Sequence, residues 1–391
     1  MDGNPVIDML GRRLRLAVIG GGPGSFIGAM HRTAARLDDR YELVAAALSS
    51  NPERSRRAGV ELGLTPDRSY GNGIVLIEAE AARDDGADVV AVMTPNDSHH
   101  TLALAALDHG FDLIIDKPLT NTLDEALEVH DRVESTGLIC CLTHNYTGYP
   151  LVRQARAMVA EGVLGEIRLV QVEYVQGGKA KPDPFGPGDE RPWRYDPVRG
   201  GPSLVMGDIG THAHNLVRFI AGVEVAEVAA EVGTIVPGGE VHDYAGALLR
   251  MENGARGAFW VTQAAAGVEN SLRIRVSGAE GTLEWAQERP TQLLFKPLDA
   301  PVQWLTPNGP GALPLAVRAS RIVAGHPEGF HEGFANLYAD AAEAIAARRS
   351  GQAADPLALH FPTADDGVRG VRFVDAVIAS DAANGAWTSC G

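Results

Sequence analysis

Short apolar runs rich in β-branched residues punctuate the first part of the chain, separated by longer stretches with helical spacing of apolar positions. Leu14 to Ile19, Tyr41 to Leu48, Asp88 to Met93, Leu113 to Ile115 and Leu138 to Thr143 read as buried strands. Helices are predicted over Ile27 to Leu37, Ser98 to His109 and Leu123 to Ser135. Strand and helix alternate, which predicts a parallel, doubly wound sheet of the Rossmann type with helices on both faces. After a helix near Leu151 to Glu161 the alternation stops. Extended segments follow at Ile167 to Gln176, Val225 to Val232, Tyr244 to Arg250, Arg256 to Gln263, Ser271 to Ser277 and Thr282 to Trp285. Tight turns such as Glu252-Asn253-Gly254 join them, so this half is expected to be an α+β domain with a large, mainly antiparallel open sheet.

An open sheet of that size needs a cover on its second face, and a second copy of itself is the simplest one. A homodimer or homotetramer built on this sheet is therefore expected. The division that follows is a dinucleotide-binding domain over residues 1–146 and a substrate-binding, oligomer-forming domain over 147–391.

Composition narrows the partners. The 391 residues carry 34 Lys and Arg against 50 Asp and Glu, a formal charge of -16. Phosphate backbones need a basic face, so a nucleic-acid partner is excluded and a small neutral or cationic substrate is favoured. Three cysteines, two of them adjacent at Cys140 and Cys141, give neither a disulfide framework nor a metal-ligand spacing. Met1 to Gly11 lacks a charged start followed by a long apolar core, and no segment reaches the length of a membrane span. The expectation is a soluble, cytoplasmic protein with no membrane partner.

Candidate chemistry begins where the first strand ends. Leu14 to Ile19 runs into Gly20-Gly21-Gly22-Pro23-Gly24-Ser25-Phe26-Ile27-Gly28 and then a helix. Strand, glycine-rich turn and helix together form the arrangement that lets a backbone approach a pyrophosphate at a helix N-terminus. The loop has about three residues more than Gly-x-Gly-x-x-Gly. Gly20, Gly22, Ser25, Phe26 and Ile27 are its candidate cofactor contacts. The second strand ends at Ser49-Ser50-Asn51-Pro52-Glu53-Arg54. An NAD site places an acid there for the ribose 2'-hydroxyl. Ser49, Ser50 and Arg54 instead suit a 2'-phosphate and tilt the cofactor from NAD toward NADP. The same residues also read as a capped helix start.

Two further stretches carry reactive groups. Leu113-Ile114-Ile115 delivers Asp116, Lys117 and Pro118 at a strand's carboxyl end, where open α/β sheets bind ligands. Farther on, a Gly- and Pro-rich loop from Gly177 to Pro202 contains Trp193-Arg194 and precedes Met206-Gly207-Asp208-Ile209-Gly210-Thr211-His212. On a regular helix Asp208 and His212 share a face, and a carboxylate beside an imidazole orients it and raises its basicity. A helix-capping Asp with an independent histidine reads equally well. No metal is expected, because His212 and His214 do not share a helical face and nothing completes a ligand set with them.

Taken together, the Gly20 to Gly28 loop followed by His31, Thr94-Pro95-Asn96 with His99, Asp116-Lys117-Pro118 and Asp208-x-x-x-His212 resemble the glucose-fructose oxidoreductase and inositol dehydrogenase family, Gfo/Idh/MocA. The resemblance spans nearly the whole chain. It implies a Rossmann domain, a C-terminal domain forming the oligomer interface, and oxidation or reduction of a ring secondary hydroxyl on a sugar, cyclitol or related polyol with NAD or NADP. By that resemblance Lys117, Asp208 and His212 are the catalytic residues. Thr94, Pro95, Asn96, His99, Asp116 and Lys117 join the cofactor contacts. Tyr146, Trp193 and Arg194 join Lys117, Asp208 and His212 on the substrate side. An unperturbed imidazole titrates near pH ~6.5 and a lysine near ~10.4, which makes His212 the better base and Lys117 the stabiliser of the reacting oxygen. The family's Glu-Lys-Pro motif is here Asp-Lys-Pro, and a cis Lys-Pro bond is a common device at such a turn. The loop insertion and Gly325 to Gly329 resemble a subgroup near levoglucosan-type or glycoside-oxidising dehydrogenases. Two alternatives stay open: a redox-neutral enzyme that retains NAD for epimerisation or glycoside cleavage, and a non-catalytic dinucleotide sensor.

Overall fold

A computed structural model describes residues 3–186 and 188–391. Met1 and Asp2 of the N-terminal stretch, and Pro187 of the Gly- and Pro-rich loop, lie outside the described residues. The chain forms two compact units. The first comprises residues to Thr120, Asp124–Gly148 and Phe330–Val368, and the second Asn121–Leu123, Tyr149–Gly329 and Arg369–Gly391.

In the first unit β1 (Leu14–Gly20), β2 (Tyr41–Ala47), β3 (Val89–Met93), β4 (Asp112–Ile115) and β5 (Cys140–Leu142) form one sheet in the order β2-β1-β3-β4-β5. Every pairing is parallel. β3 and β4 are buried along their whole length, as strands covered on both faces must be. The order reverses between β1 and β3, and the carboxyl ends on either side of such a switch form the usual ligand crevice.

Helices Phe26–Leu37, Pro52–Glu61, Gly73–Ala81, His99–Asp108 and Leu123–Thr136 lie between the strands. A further helix, Phe330–Ser350, also belongs to this unit, although it follows the second unit's strands in sequence. Its Phe334 and Tyr338 are buried with Leu16, Val18 and Ala46 in one core cluster. Tyr41 donates its hydroxyl to the Tyr338 carbonyl at 2.8 Å. At the sheet's amino edge Arg348 pairs with Asp112 at 2.7 Å and Arg349 with Asp88 at 2.8 Å, tying the helix end to β4 and to the residue before β3.

The second unit holds a nine-stranded sheet in the order β13-β12-β11-β10-β6-β9-β8-β7-β14. Its strands are β6 (Ile167–Val175), β7 (Val225–Gly233), β8 (Tyr244–Met251), β9 (Arg256–Thr262), β10 (Ser271–Gly278), β11 (Gly281–Ala286), β12 (Leu293–Pro297), β13 (Gln303–Leu305) and β14 (Thr388–Ser389). Only β6 and β9 pair in parallel; the remaining neighbours are antiparallel. Side chains alternate across it. One face is covered by helices, as where Phe373 packs on Phe259 and stacks on His214. The other presents Leu169, Leu248, Trp260 and Trp304 to solvent, at 54%, 59%, 42% and 60% exposure, among Arg and Glu side chains.

Candidate active site

The glycine turn after β1 is shaped by backbone contact. Gly20 adopts φ +85°, which only glycine takes without strain. A Cβ on Gly22 would lie 2.2 Å from the Leu48 carbonyl oxygen, and one on Gly28 2.0 Å from that of Gly21. The turn therefore sits hard against β2 on one side and the following helix on the other. Ser25 caps that helix by accepting from the Gly28 N–H at 3.2 Å, and Phe26 and Ile27 are its first two residues. Arg32, one turn further on, donates to the Gly21 carbonyl at 2.6 Å. A bare backbone turn leading to a helix N-terminus fits a dinucleotide pyrophosphate, since side chains are excluded where the phosphates would approach.

At the end of β2 the Ser49 hydroxyl accepts from the Asn51 N–H at 3.2 Å, and Asn51 caps the helix Pro52–Glu61. Arg54 is exposed and reaches back to the Pro23 carbonyl at 3.3 Å. The capped helix start and a basic group beside the glycine turn are therefore both present. Thr94, Pro95 and Asn96 follow β3, where Ser98 donates to the Thr94 hydroxyl at 2.7 Å.

His99 is completely buried. Its Nδ1 lies 2.9 Å from the Pro118 carbonyl and its Nε2 3.1 Å from that of Thr94, so the ring braces the loop ends of β3 and β4. Burial lowers its pKa and favours the neutral ring, in which one nitrogen donates. Expected as a cofactor contact, His99 has both ring nitrogens turned to the backbone of the two loops.

The Lys117–Pro118 bond is cis. Asp116, 17% exposed, gathers donors on one oxygen: the Lys117 N–H at 3.1 Å and the Thr143 hydroxyl at 2.8 Å, with His31 Nε2 at 4.0 Å. His31 is in turn fixed by Tyr338, whose hydroxyl is 2.7 Å from Nδ1. Burial pushes the Asp116 carboxyl up, but His31, Lys117 and the Thr143 bond outweigh it and hold the group well below the usual carboxylate range. An ionised Asp116 thus anchors the backbone that presents Lys117. Tyr146 lies in the turn Asn145–Gly148 after β5 and is buried.

In the second unit Met206–Gly210 forms a wide π-type turn that runs into the helix Thr211–Ala221. Asp208 stands in the wide turn and His212 in the first turn of the regular helix that continues it. Such turns recur at functional sites. Asp208 accepts from Gln263 Nε2 at 2.8 Å. Tyr174 packs near His212, with ring centroids 6.5 Å apart. Trp193 and Arg194 pair with each other, the guanidinium lying 4.3 Å over the indole. Their loop is organised around Asp183, which binds Lys179 at 2.9 Å and the Tyr195 hydroxyl at 2.6 Å. In the Gly325 to Gly329 stretch, Glu328 accepts from the Arg321 N–H at 3.0 Å, a local brace. Arg32, Thr143 and Tyr338 in the first unit and Gln263 in the second have no motif of their own in the sequence, and only their contacts with Gly21, Asp116, His31 and Asp208 single them out.

Two family models match. One, described as the oxidoreductase family with an NAD-binding Rossmann fold, covers residues 14–144; the other, the GFO/IDH/MocA C-terminal domain, covers 152–284. The chain belongs to the GFO/IDH/MocA oxidoreductase family. It is 46% identical to an oxidoreductase from Sinorhizobium meliloti of known structure, with a TM-score of 0.87 over 96% of this chain and 99% of that one. An inositol dehydrogenase homologue from Azotobacter vinelandii, solved with NADH and myo-inositol, is 36% identical with a TM-score of 0.89, covering 97% and 98% of the two chains. Levoglucosan dehydrogenase from Pseudarthrobacter phenanthrenivorans is 28% identical over 312 residues, 72% of this chain and 76% of that one. This member of the family is an oxidoreductase with an NAD-binding domain. Among its described residues no helix is long and apolar enough to cross a membrane, and no group of three His, Cys, Asp or Glu could hold a metal ion.

Proposed function

We propose that the protein is an NAD(P)-dependent dehydrogenase acting on a ring secondary hydroxyl of a sugar, cyclitol or glycoside. The observation that carries this reading is Lys117, presented by an anchored Asp116 at the carboxyl end of β4, in the same sheet whose β1 ends in a turn too tight for side chains. The bound myo-inositol of the Azotobacter relative and the name of the levoglucosan relative support the substrate class.

When bound, the nicotinamide dinucleotide supplies the acceptor for a hydride. His212 takes the proton of the hydroxyl being oxidised, and Asp208 orients the imidazole for it. Lys117 hydrogen-bonds the same oxygen and stabilises the negative charge that grows on it. Tyr146, Trp193 and Arg194 border the sugar, an aromatic face and a guanidinium suiting a ring with hydroxyl edges. Gly20, Gly22, Ser25, Phe26 and Ile27 hold the pyrophosphate side, and Thr94, Pro95, Asn96 and Asp116 the nicotinamide side. At the ribose, the end of β2 offers Ser49 and Ser50 with no carboxylate before Glu53, and exposed Arg54 supplies the cation for a 2'-phosphate. NADP is therefore accepted beside NAD. The domain that carries Asp208 and His212 also forms the homodimer or homotetramer, through the exposed sheet face with Leu248 and Trp260.

The test is a screen of cyclitols, sugars and anhydrosugars with NAD+ and with NADP+, read as absorbance of the reduced nicotinamide. Turnover of at least one polyol is expected. Absence of turnover across the set, with dinucleotide bound, would refute the assignment.

A further inference from the structure

Asp208 is held by a row of amides that runs in one direction. Gln263, immediately after β9, is 7% exposed. Its Nε2 donates to Asp208 Oδ2 at 2.8 Å and to Gln176 Oε1 at 3.1 Å. Gln176 Nε2 donates to Asn270 Oδ1 at 2.6 Å, and Asn270 Nδ2 to Gln287 Oε1 at 3.2 Å. The Tyr174 hydroxyl donates to the same Asn270 oxygen at 2.9 Å.

An ionised carboxylate only accepts, so Asp208 requires the nitrogen of Gln263 to face it. That choice fixes every amide behind it, because turning one over would set oxygen against oxygen. Both N–H groups of Gln263 are thereby used. Its Oε1 is left buried with no hydrogen-bond partner. Amide bond lengths put this oxygen roughly 2.3 Å from Nε2, and so within about 5 Å of the Asp208 carboxylate. A buried acceptor without a donor is unfavourable, and a ligand that brings a donor recovers that loss on binding.

We propose that Gln263 Oε1 accepts a hydrogen bond from one non-reacting hydroxyl of the substrate, so that Gln263 sets specificity for a polyol with a donor at one ring position. The inference rests on the reading of Asp208 as part of a polyol dehydrogenase site. It extends that reading, because an acceptor locked by its own donors cannot turn to offer N–H instead. A deoxy carbon at that position leaves the oxygen unpaired, and a fluorine, which only accepts, opposes it.

The experiment is a cycle of substrate and protein changes. The best polyol from the screen and each of its monodeoxy and deoxyfluoro analogues are assayed for kcat/KM with the wild-type enzyme, Gln263→Met and Gln263→Glu. For one ring position the wild type should lose about ten- to a hundredfold on the deoxy analogue and more on the fluoro analogue. Gln263→Met should erase that difference, whatever it does to the overall rate. Gln263→Glu, which keeps an acceptor but has no N–H for Asp208, should retain it at a lower kcat. If Gln263→Met slows every analogue by the same factor, or each deoxy penalty survives it, Gln263 acts only through Asp208 and the acceptor role is overturned. Should the Met variant fail to fold, loss of the positional difference in Gln263→Glu overturns it equally. Absence of wild-type turnover on every polyol removes the functional reading itself, an outcome distinct from turnover without coupling.

Discussion

Gly28→Ala probes the nucleotide turn where its geometry is tightest. The new methyl would sit 2.0 Å from the Gly21 carbonyl oxygen, and the next atoms it meets are also Gly21 backbone. A carbon rests about 3.3 Å from a carbonyl oxygen, so helix and turn must separate by about 1.3 Å. Overpacking of this kind costs about 1–3 kcal/mol. In the ligand-free variant the turn is expected to open away from the helix to relieve the clash, shedding much of that cost. Gripping a pyrophosphate restores it, and at about 1.4 kcal/mol per factor of ten the dinucleotide Kd should rise about 5- to 150-fold. Gly24→Ala is the matched control: at φ +85° with nothing within 4 Å, it adds backbone strain of about 1–2 kcal/mol without a clash. Its effect should appear in thermal unfolding of the ligand-free protein. NADH and NADPH fluorescence titrations with melting curves distinguish the two. A Gly28→Ala protein that binds both nucleotides within twofold of wild type would refute the steric argument.

Asp116→Asn should be less stable than wild type at pH 7, because the folded carboxyl is held below its unfolded value and the charged form contributes to stability. That contribution is complete above the unfolded pKa of about 3.9 and fades as pH falls toward the folded value, so the gap between the two proteins in urea unfolding should narrow below about pH 4. Ser49→Asp should raise the KM for NADP+ by about tenfold or more while sparing that for NAD+, since a carboxylate repels a 2'-phosphate and binds a 2'-hydroxyl; equal effects on both cofactors would displace Ser49 from the ribose. The proposed oligomer should fall to monomer in light scattering in Leu248→Arg with Trp260→Glu, and a monomeric wild type or an unchanged mass in the variant would overturn the proposed interface.

The alternation of Leu14 to Thr143 was legible because buried parallel strands are continuous apolar runs, while the open sheet was legible as successive extended segments joined by tight turns such as Glu252-Asn253-Gly254. Phe330–Ser350 was not. Its alanine-rich sequence is buried on nearly every side, so it carries no amphipathic period. Its membership of the first unit rests on distant partners such as His31 and Asp112. β12 (Leu293–Pro297) and β13 (Gln303–Leu305) also went unread in the sequence. At the site, Lys117 and His212 could be singled out by motif, but the wide turn around Asp208 is a backbone feature for which the sequence offered no signal. Gln263 escaped for a different reason: a lone glutamine at a strand end has no signature until its partners are in place.

The central claim is that Lys117 and His212 act on one hydroxyl of a polyol. It is tested most directly by comparing wild type, Lys117→Ala and His212→Ala on the best substrate at saturating dinucleotide. A loss in kcat of about 10²–10⁴-fold in each variant, with NADH affinity within a few-fold of wild type, is the expected result. Full turnover in either variant would contradict the account.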